Sequence, residues 1–414
     1  MTNFQNKIPD FVWRVMRALS AAGYHAFVVG GCVRDLLRGT PPHDFDLTTD
    51  ATPDEMRASL GDFRLIPTGA AHGTLTVISD SKPVEVTTHR ADGDYADARH
   101  PDRVFFSRNI EDDLSRRDFT VNAMAWNKER GLVDLFGGRE DLENKILRAV
   151  GDPEKRFSED ALRILRAFRF SAQLDFAIEE KTALAARHRC AGLSKISVER
   201  IFSELQKLLV APAAERGFAA LVDAECLSLA FPGAPLRAEF AARWKSLAPD
   251  APLRLAAIFA GDAADADAFC RKMHTSRAFA ERTAALVKGK SAPLPTDLYE
   301  ARHFVFRFFP VWRDLLSLKE IAGEETGEAR RLCEQVVREG SAVDLHRLAV
   351  NGKELQDALR IAPADTAPML SRLQDAVFRD PALNKKRLLL SLAAKEIGRE
   401  DLAAQFILKG TRKK

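Results

Sequence analysis

Apolar positions in the first 150 residues switch repeatedly between helical and extended spacing. Met1–Ala22 interleaves Arg14 and Arg17 with apolar residues, which predicts an amphipathic helix rather than a signal peptide. His25–Val29 is a short apolar run that reads as a buried strand, followed by Gly30-Gly31 and a helical pattern over Cys32–Arg38. Asp44–Thr48 reads as a second strand, and Thr52-Pro53-Asp54-Glu55 carries the cap, first-turn proline and acidic residues of a helix start. Gly73–Ser79 and Val84–Thr88 are β-rich segments separated by Asp80-Ser81-Lys82, which predicts a hairpin. Ala91–Arg108 is polar and without a period and reads as a mobile loop, and Leu132–Asp134 is a further extended piece before Gly137-Gly138.

From Ser158 onward the strand signals stop. Ser158–Leu174, Glu179–Arg189 and Val198–Leu209 are helical by period, the last with Ser197 in the capping position. Ala, Leu and Arg then dominate to the end, interrupted at Pro232, Pro235, Pro293-Leu294-Pro295 and Pro381. The predicted class is α+β: an N-terminal mixed α/β head with a small sheet flanked by helices, then an all-α remainder. The expected division is 1–150 for the head, 151–212 for a helical neck and 213–414 for a helical body and tail.

Length and composition narrow the choice without deciding it. At 414 residues and 45.9 kDa the chain is long enough for two or more domains. No apolar run is long enough to span a membrane. The five cysteines share no metal-like spacing, which points to a reducing cytoplasm and no structural zinc. The net charge of +3 is unevenly placed: residues 1–150 carry 19 Lys and Arg against 23 Asp and Glu, and the rest 43 against 36. An acidic front half could hold divalent metal and a basic back half could follow a phosphate backbone; uneven surface charge alone gives the same totals.

Candidate chemistry starts at Gly30-Gly31. Two glycines between strand and helix let backbone N–H groups approach a phosphate, and Arg34 lies close enough to reach the same charge. Thirteen residues after Gly31 comes Asp44-Phe45-Asp46, whose carboxylates share one side of a strand. Paired acids are costly unless a cation lies between them, and Mg²⁺ suits oxygen ligands beside substrate phosphates. Glu85, alternating with Val84 and Val86, turns to the polar face and offers a third carboxylate for a two-metal site. Each signal alone is weak; the set is far more specific.

With further motifs, the sequence resembles the class II tRNA nucleotidyltransferases (CCA-adding enzymes) and bacterial poly(A) polymerases, within the polymerase-β-like nucleotidyltransferases. The segments that carry the resemblance are Gly30–Asp35, Asp44–Asp46, Arg116-Arg117-Asp118-Phe119-Thr120-Val121-Asn122-Ala123, Glu159–Arg163 running into Arg166–Phe170, and Ile196-Ser197-Val198-Glu199-Arg200. They span roughly residues 23–210, and beyond that no motif stands out. The resemblance implies that Asp44, Asp46 and Glu85 are catalytic and bind two Mg²⁺ ions. It implies that Gly30, Gly31, Arg34 and Arg117 bind the nucleotide, and that Asp160, Arg163, Arg166 and Arg169 line its pocket. It further implies a tRNA 3′ end, CTP and ATP as partners; no membrane and no obligate protein partner are inferred.

The neck segment bears its own reading. Ala161, Ile164, Leu165, Phe168 and Ala172 form a helical core stripe, leaving Asp160 and Arg163 on the other side. A carboxylate accepts from the amino groups of cytosine and adenine, and a guanidinium donates to their ring acceptors. Guanine and uracil would set a carbonyl against the carboxylate. Leu65–Thr74, the motif at Ile196–Arg200 and the short basic C-terminus look more like CCA-adding enzymes than poly(A) polymerases. A poly(A) polymerase, an A-adding specialist and an RNA-binding protein with an inactive head are the alternatives. Leu255–Asp262 lacks the histidine of the phosphohydrolase domain found in some relatives.

Overall fold

The computed structural model describes residues 4–69, 73–91, 105–342, 344 and 346–408. Its contacts divide into two units, residues 1–260 with 268–276, and residues 261–267 with 277–414. The α+β class is borne out: strands lie in the N-terminal part and the remainder is mostly helical.

The head is built from α1 (Asp10–Ala21), β1 (Ala26–Val29), α2 (Gly31–Arg38), β2 (Asp46–Thr49), α3 (Pro53–Ser59), β3 (Arg64–Gly69), β4 (Thr74–Ser79) and β5 (Lys82–Thr88). Then follow β6 (Arg90–Ala91), β7 (Phe105–Phe106), α4 (Ile110–Ser115), β8 (Met124–Asn127), β9 (Gly131–Asp134), α5 (Gly138–Glu143) and β10 (Ile146–Leu147). Seven strands form one sheet in the order β3-β4-β5-β2-β1-β8-β9, with β2 and β5 parallel. All four residues of β1 are buried because both sheet faces are covered. Val28 faces a core with Val12, Val15 and Leu19 of α1 and with Leu47, Val84 and Val86. Phe27 and Val29 face Ile110 and Leu114 of α4.

Local signals set these boundaries. Thr52 and Glu55 complete a capping box at α3. Asp80 and Ser81, at φ 48° and 62°, form the two-residue turn between β4 and β5. In the head, β3, β6, β7, α4, β8, α5 and β10 were not anticipated. The β8 residues are buried throughout and merge into the apolar run from Val121, where period cannot separate strand from helix. Of the predicted loop Ala91–Arg108, residues 92–104 lie outside the described ones, and Phe105-Phe106 pairs with Arg90-Ala91.

The neck departs from the expected single helix over Ser158–Leu174. It is two helices, α6 (Pro153–Glu159) and α7 (Leu162–Leu174), broken where Asp160 adopts extended backbone at φ −147°, ψ 104°. After β11 (Ala177–Ile178), α8 (Glu180–Arg189), α9 (Val198–Leu209) and α10 (Ala214–Asp223) follow. Ser197 holds the capping position of α9 without a side-chain cap bond. Gly217 of α10 lets that helix press against α7, because a Cβ there would lie 2.7 Å from the Ala172 Cβ. The sulfurs of Cys190 and Cys226 are in disulfide contact, with Cα atoms 5.7 Å apart, a pairing the spacing did not predict.

The second unit is helical from Arg277–Gly289 to Glu400–Leu408. One of its cores gathers Leu355, Leu359, Leu373, Val377, Leu389 and Ala393.

Candidate active site

The glycine turn sits where β1 hands over to α2. Gly30 has φ 77° and ψ −128°, a conformation that favours glycine. A Cβ on Gly30 would lie 2.9 Å from Arg117 Nη1, so the missing side chain also makes room for that guanidinium. Arg34, one turn into α2, is buried. It donates from Nη1 to Asn122 Oδ1 at 2.7 Å and from Nε and Nη2 to the Asp35 carboxylate at 2.9 and 3.1 Å.

The carboxylates converge on the parallel strand pair. Asp46 opens β2 and lies directly opposite Glu85 of β5 in the register, while Asp44 falls just before the strand. One side of Asp46 is open to solvent, yet the protein packed around its carboxylate raises its pKa to about 6. Exclusion of water is the largest cause, followed by the like charges of Asp44 and Glu85, with Arg117 pulling the other way. Among the described residues no three His, Cys, Asp or Glu side chains form a group that could hold a metal ion as they stand. The donor chemistry nevertheless fits a hard cation, because three oxygen ligands repel one another around Asp46 and a bound cation relieves that repulsion.

Arg117 is fixed from behind. Its Nε and Nη2 donate to Asp113 Oδ2 at 3.3 and 3.0 Å, and Arg116 Nε donates to Asp113 Oδ1 at 3.3 Å. Burial pushes the Asp113 carboxyl up, but Arg117 and Arg116 outweigh it and hold the pKa at about 2. Asp118 repeats the arrangement: burial raises it, Arg166 overrides, and the pKa is again about 2. Arg166 Nε reaches Asp118 Oδ2 at 2.8 Å, and Asn122 Nδ2 reaches Asp118 Oδ1 at 3.2 Å. Arg34, Asn122, Asp118 and Arg166 therefore form one hydrogen-bonded chain from α2 to α7.

The predicted neck residues are held by separate partners rather than by each other. Asp160 accepts from the Leu162 N–H at 3.0 Å and from Arg200 Nη2 at 2.9 Å. Arg163 donates from Nη1 to Glu159 Oε2 at 2.6 Å and to the Arg156 carbonyl at 3.0 Å, and from Nη2 to the Arg116 carbonyl at 3.0 Å. Arg169 is buried; its Nε donates to Glu204 of α9 at 2.5 Å and its Nη1 to Gln173 at 2.7 Å. The Arg34, Arg166 and Arg169 guanidinium carbons stand 5.6, 5.3 and 3.7 Å from the centre of the Phe170 ring.

Comparison with known proteins separates the possible readings of this geometry. Residues 26–148 match the model of the poly(A) polymerase head domain, and 175–236 that of a probable RNA- and SrmB-binding site of polymerase A. A CCA-adding enzyme of Streptococcus mutans is 34% identical over 96% of this chain and 98% of its own. The chain belongs to the CCA-adding enzyme family. The CCA-adding enzyme of Enterococcus faecalis is likewise 34% identical, over 92% of this chain and 95% of its own. The Bacillus stearothermophilus CCA-adding enzyme, solved in complex with CTP, superposes with a TM-score of 0.81 at 30% identity, covering 95% of this chain and 98% of that one.

As a member of that family the protein is a nucleotidyltransferase. Asp44, Glu85 and Arg117 surround Asp46, Arg117 lies beside Gly30, and Gly31 and Arg34 stand in the first turn of α2 that follows. Arg163 joins them through the Arg116 carbonyl and Arg166 through Asp118, while Asp160 is held by Arg200 and the Leu162 N–H. Arg169 is instead engaged between α7 and α9. Sequence reasoning assigned no role to Asp113, Glu159, Arg200 or Glu204, and left Asp118 and Asn122 undecided. Glu159 and Arg200 stood inside quoted motifs, which was the available signal; Asp113 and Glu204 left none.

Proposed function

We propose that this protein adds C, C and A to the 3′ end of tRNA, taking CTP and ATP and releasing pyrophosphate. The observation that carries the proposal is the meeting at Asp46 of Asp44, Glu85 and Arg117, directly beside the Gly30 turn. Its close relatives carry the CCA-adding name, and one of them was captured with CTP.

Arg34 and Arg117, with the N–H groups opening α2, bind and orient the triphosphate. Asp44, Asp46 and Glu85 would hold two Mg²⁺ ions, which supply Lewis-acid activation and neutralise charge at the α-phosphate when bound. The tRNA 3′-hydroxyl forms the new bond to the α-phosphorus as the bond to the β-phosphate oxygen breaks. Asp160 and Arg163 read the base: the carboxylate accepts from the amino group of C or A, and the guanidinium donates to a ring acceptor. Uracil and guanine present a carbonyl there and leave the carboxylate unpaired. Arg166 continues this line toward the phosphates. We assign Arg169 to the same wall through the Phe170 ring. Residues 1–150 serve as catalytic head, 151–212 as base-reading neck and 213–414 as the tRNA-holding body and tail of a cytoplasmic enzyme.

Replacing Asp46 by Ala tests the assignment. Incorporation of labelled CTP is expected to fall more than about 100-fold, beyond the loss typical of outer-shell partners of a metal, while tRNA binding survives. Loss of tRNA binding with normal turnover at saturation would contradict it.

A further inference from the structure

Cys190 and Cys226 are 36 residues apart in sequence, yet their Cα atoms lie 5.7 Å from each other. A disulfide spans that distance without backbone movement. Cys190 ends α8 and opens the short 3-10 segment Cys190–Lys195. Cys226 holds the N-cap position of α11 (Leu227–Ala230), directly after Glu225, whose left-handed backbone at φ 59° turns the chain out of α10. Arg187 and Glu225 form an ion pair across the same gap. Cys32, Cys270 and Cys333 are buried and lie outside this pair.

The chain between the two cysteines holds α9 and α10, and both helices pack on α7. Glu204 of α9 accepts from Arg169 of α7, and Gly217 of α10 meets α7 at Phe168 and Ala172. The segment after Cys190 reaches the start of α7 as well, since a Cβ on Gly192 would lie 2.9 Å from the Ala161 Cβ. A covalent bond between the two sulfurs closes this whole stretch into a loop. Such a closure restricts the unfolded chain far more than the folded one and so favours the packed state. Both cysteines are buried, Cys226 fully, but Cys190 is followed by the exposed Ala191. A small neutral oxidant such as hydrogen peroxide has only that margin to cross.

We propose that Cys190 and Cys226 are an oxidation site: a peroxide converts the two thiols to a disulfide that staples the end of α8 to the α10–α11 turn and holds α9 and α10 against α7. The Cys190 sulfur attacks one peroxide oxygen and the O–O bond breaks, leaving a sulfenic acid and one water. The Cys226 sulfur then attacks the sulfenic sulfur, the S–O bond breaks, and a second water leaves. Two thiols are oxidised, one peroxide is reduced, and the two thiol protons end in the two waters. A dithiol reverses the change by thiol–disulfide exchange. Neither cysteine has a part in nucleotidyl transfer, so the staple sets how firmly this part of the chain is held rather than how fast a bound nucleotide reacts.

The test uses the full-length protein, reduced with dithiothreitol and then treated with hydrogen peroxide, as wild type, Cys190→Ser and Cys226→Ser. Thiols titrated after unfolding are expected to fall from the five of the sequence to three in the wild type, with peptide mapping placing the new bond between Cys190 and Cys226. The urea midpoint should rise by about 1 M on oxidation and return on reduction. Neither serine variant should show that rise. Five thiols remaining after peroxide, a bond to another cysteine, or a rise that persists in a folded serine variant would overturn the inference. A disulfide that forms without moving the midpoint would overturn it too. If neither serine variant folds, the oxidised and reduced wild type carry the comparison by themselves.

Discussion

Asp118 shows how single residues set both stability and site geometry. Its carboxylate is buried and accepts from the Phe119 N–H, Asn122 and Arg166, and its pKa falls from 3.8 to about 2. Water exclusion works against ionisation here, so the arginine must supply more than burial removes. A depressed carboxylate binds its proton more weakly in the folded chain than in the unfolded one. The stability it contributes is complete above about pH 4 and is lost as the pH falls toward 2. Urea midpoints measured against pH should show Asp118→Asn less stable than wild type at pH 7 by roughly 2 kcal/mol, discounted because the Arg166 side chain is 34% exposed. The gap should narrow as the pH drops below 4; a gap that stayed constant would remove the Asp118–Arg166 pair as its cause. None of this was visible in the sequence, where Asp118 was one acid among arginines. Burial decides the matter, and burial at a single polar residue leaves no periodic trace.

At the scale of elements, the most legible features were those set by local chemistry. The capping box at Thr52, the Asp80-Ser81 turn and the period of α9 all lie where the pattern placed them. The carboxylate set was legible for a related reason, since alternation in β5 puts Glu85 opposite the buried valines, and pairing with β2 then brings it to Asp46. The helix break at Asp160 was not legible, because the apolar stripe continues through it. What stops the helix is tertiary: Arg200 holds the Asp160 side chain, and Asp160 in turn accepts from the Leu162 N–H of the next helix. The Gly30 turn lends itself to a direct check. Gly30→Ala forces a Cβ onto a backbone at φ 77° and to within 2.9 Å of Arg117 Nη1. It should destabilise the head by about 1–2 kcal/mol in chemical denaturation and raise the KM for CTP, since the left-handed backbone is strained and Arg117 must shift. A KM unchanged from wild type would separate Arg117 from triphosphate binding.

For the whole molecule, the proposed division of labour follows from where the strands end. The seven-stranded sheet carries the carboxylates and the glycine turn, and the helices from α6 to α10 carry Asp160, Arg163, Arg166 and Arg200. Beyond these, the remaining helices bear no motif that the sequence could read, because a helical scaffold needs only an apolar face, and many sequences supply one. Among the described residues no helix is long and apolar enough to cross a membrane. The central claim is that one nucleotide site selects C and A and adds them in order. The most direct measurement is incorporation of each labelled NTP, with Mg²⁺, into tRNA transcripts ending in the discriminator base, in -C or in -CC. The account predicts C, then C, then A, followed by a stop, with UTP and GTP poorly used. Addition of A alone to the -CC transcript, or a long run of A on unrelated RNA, would contradict it.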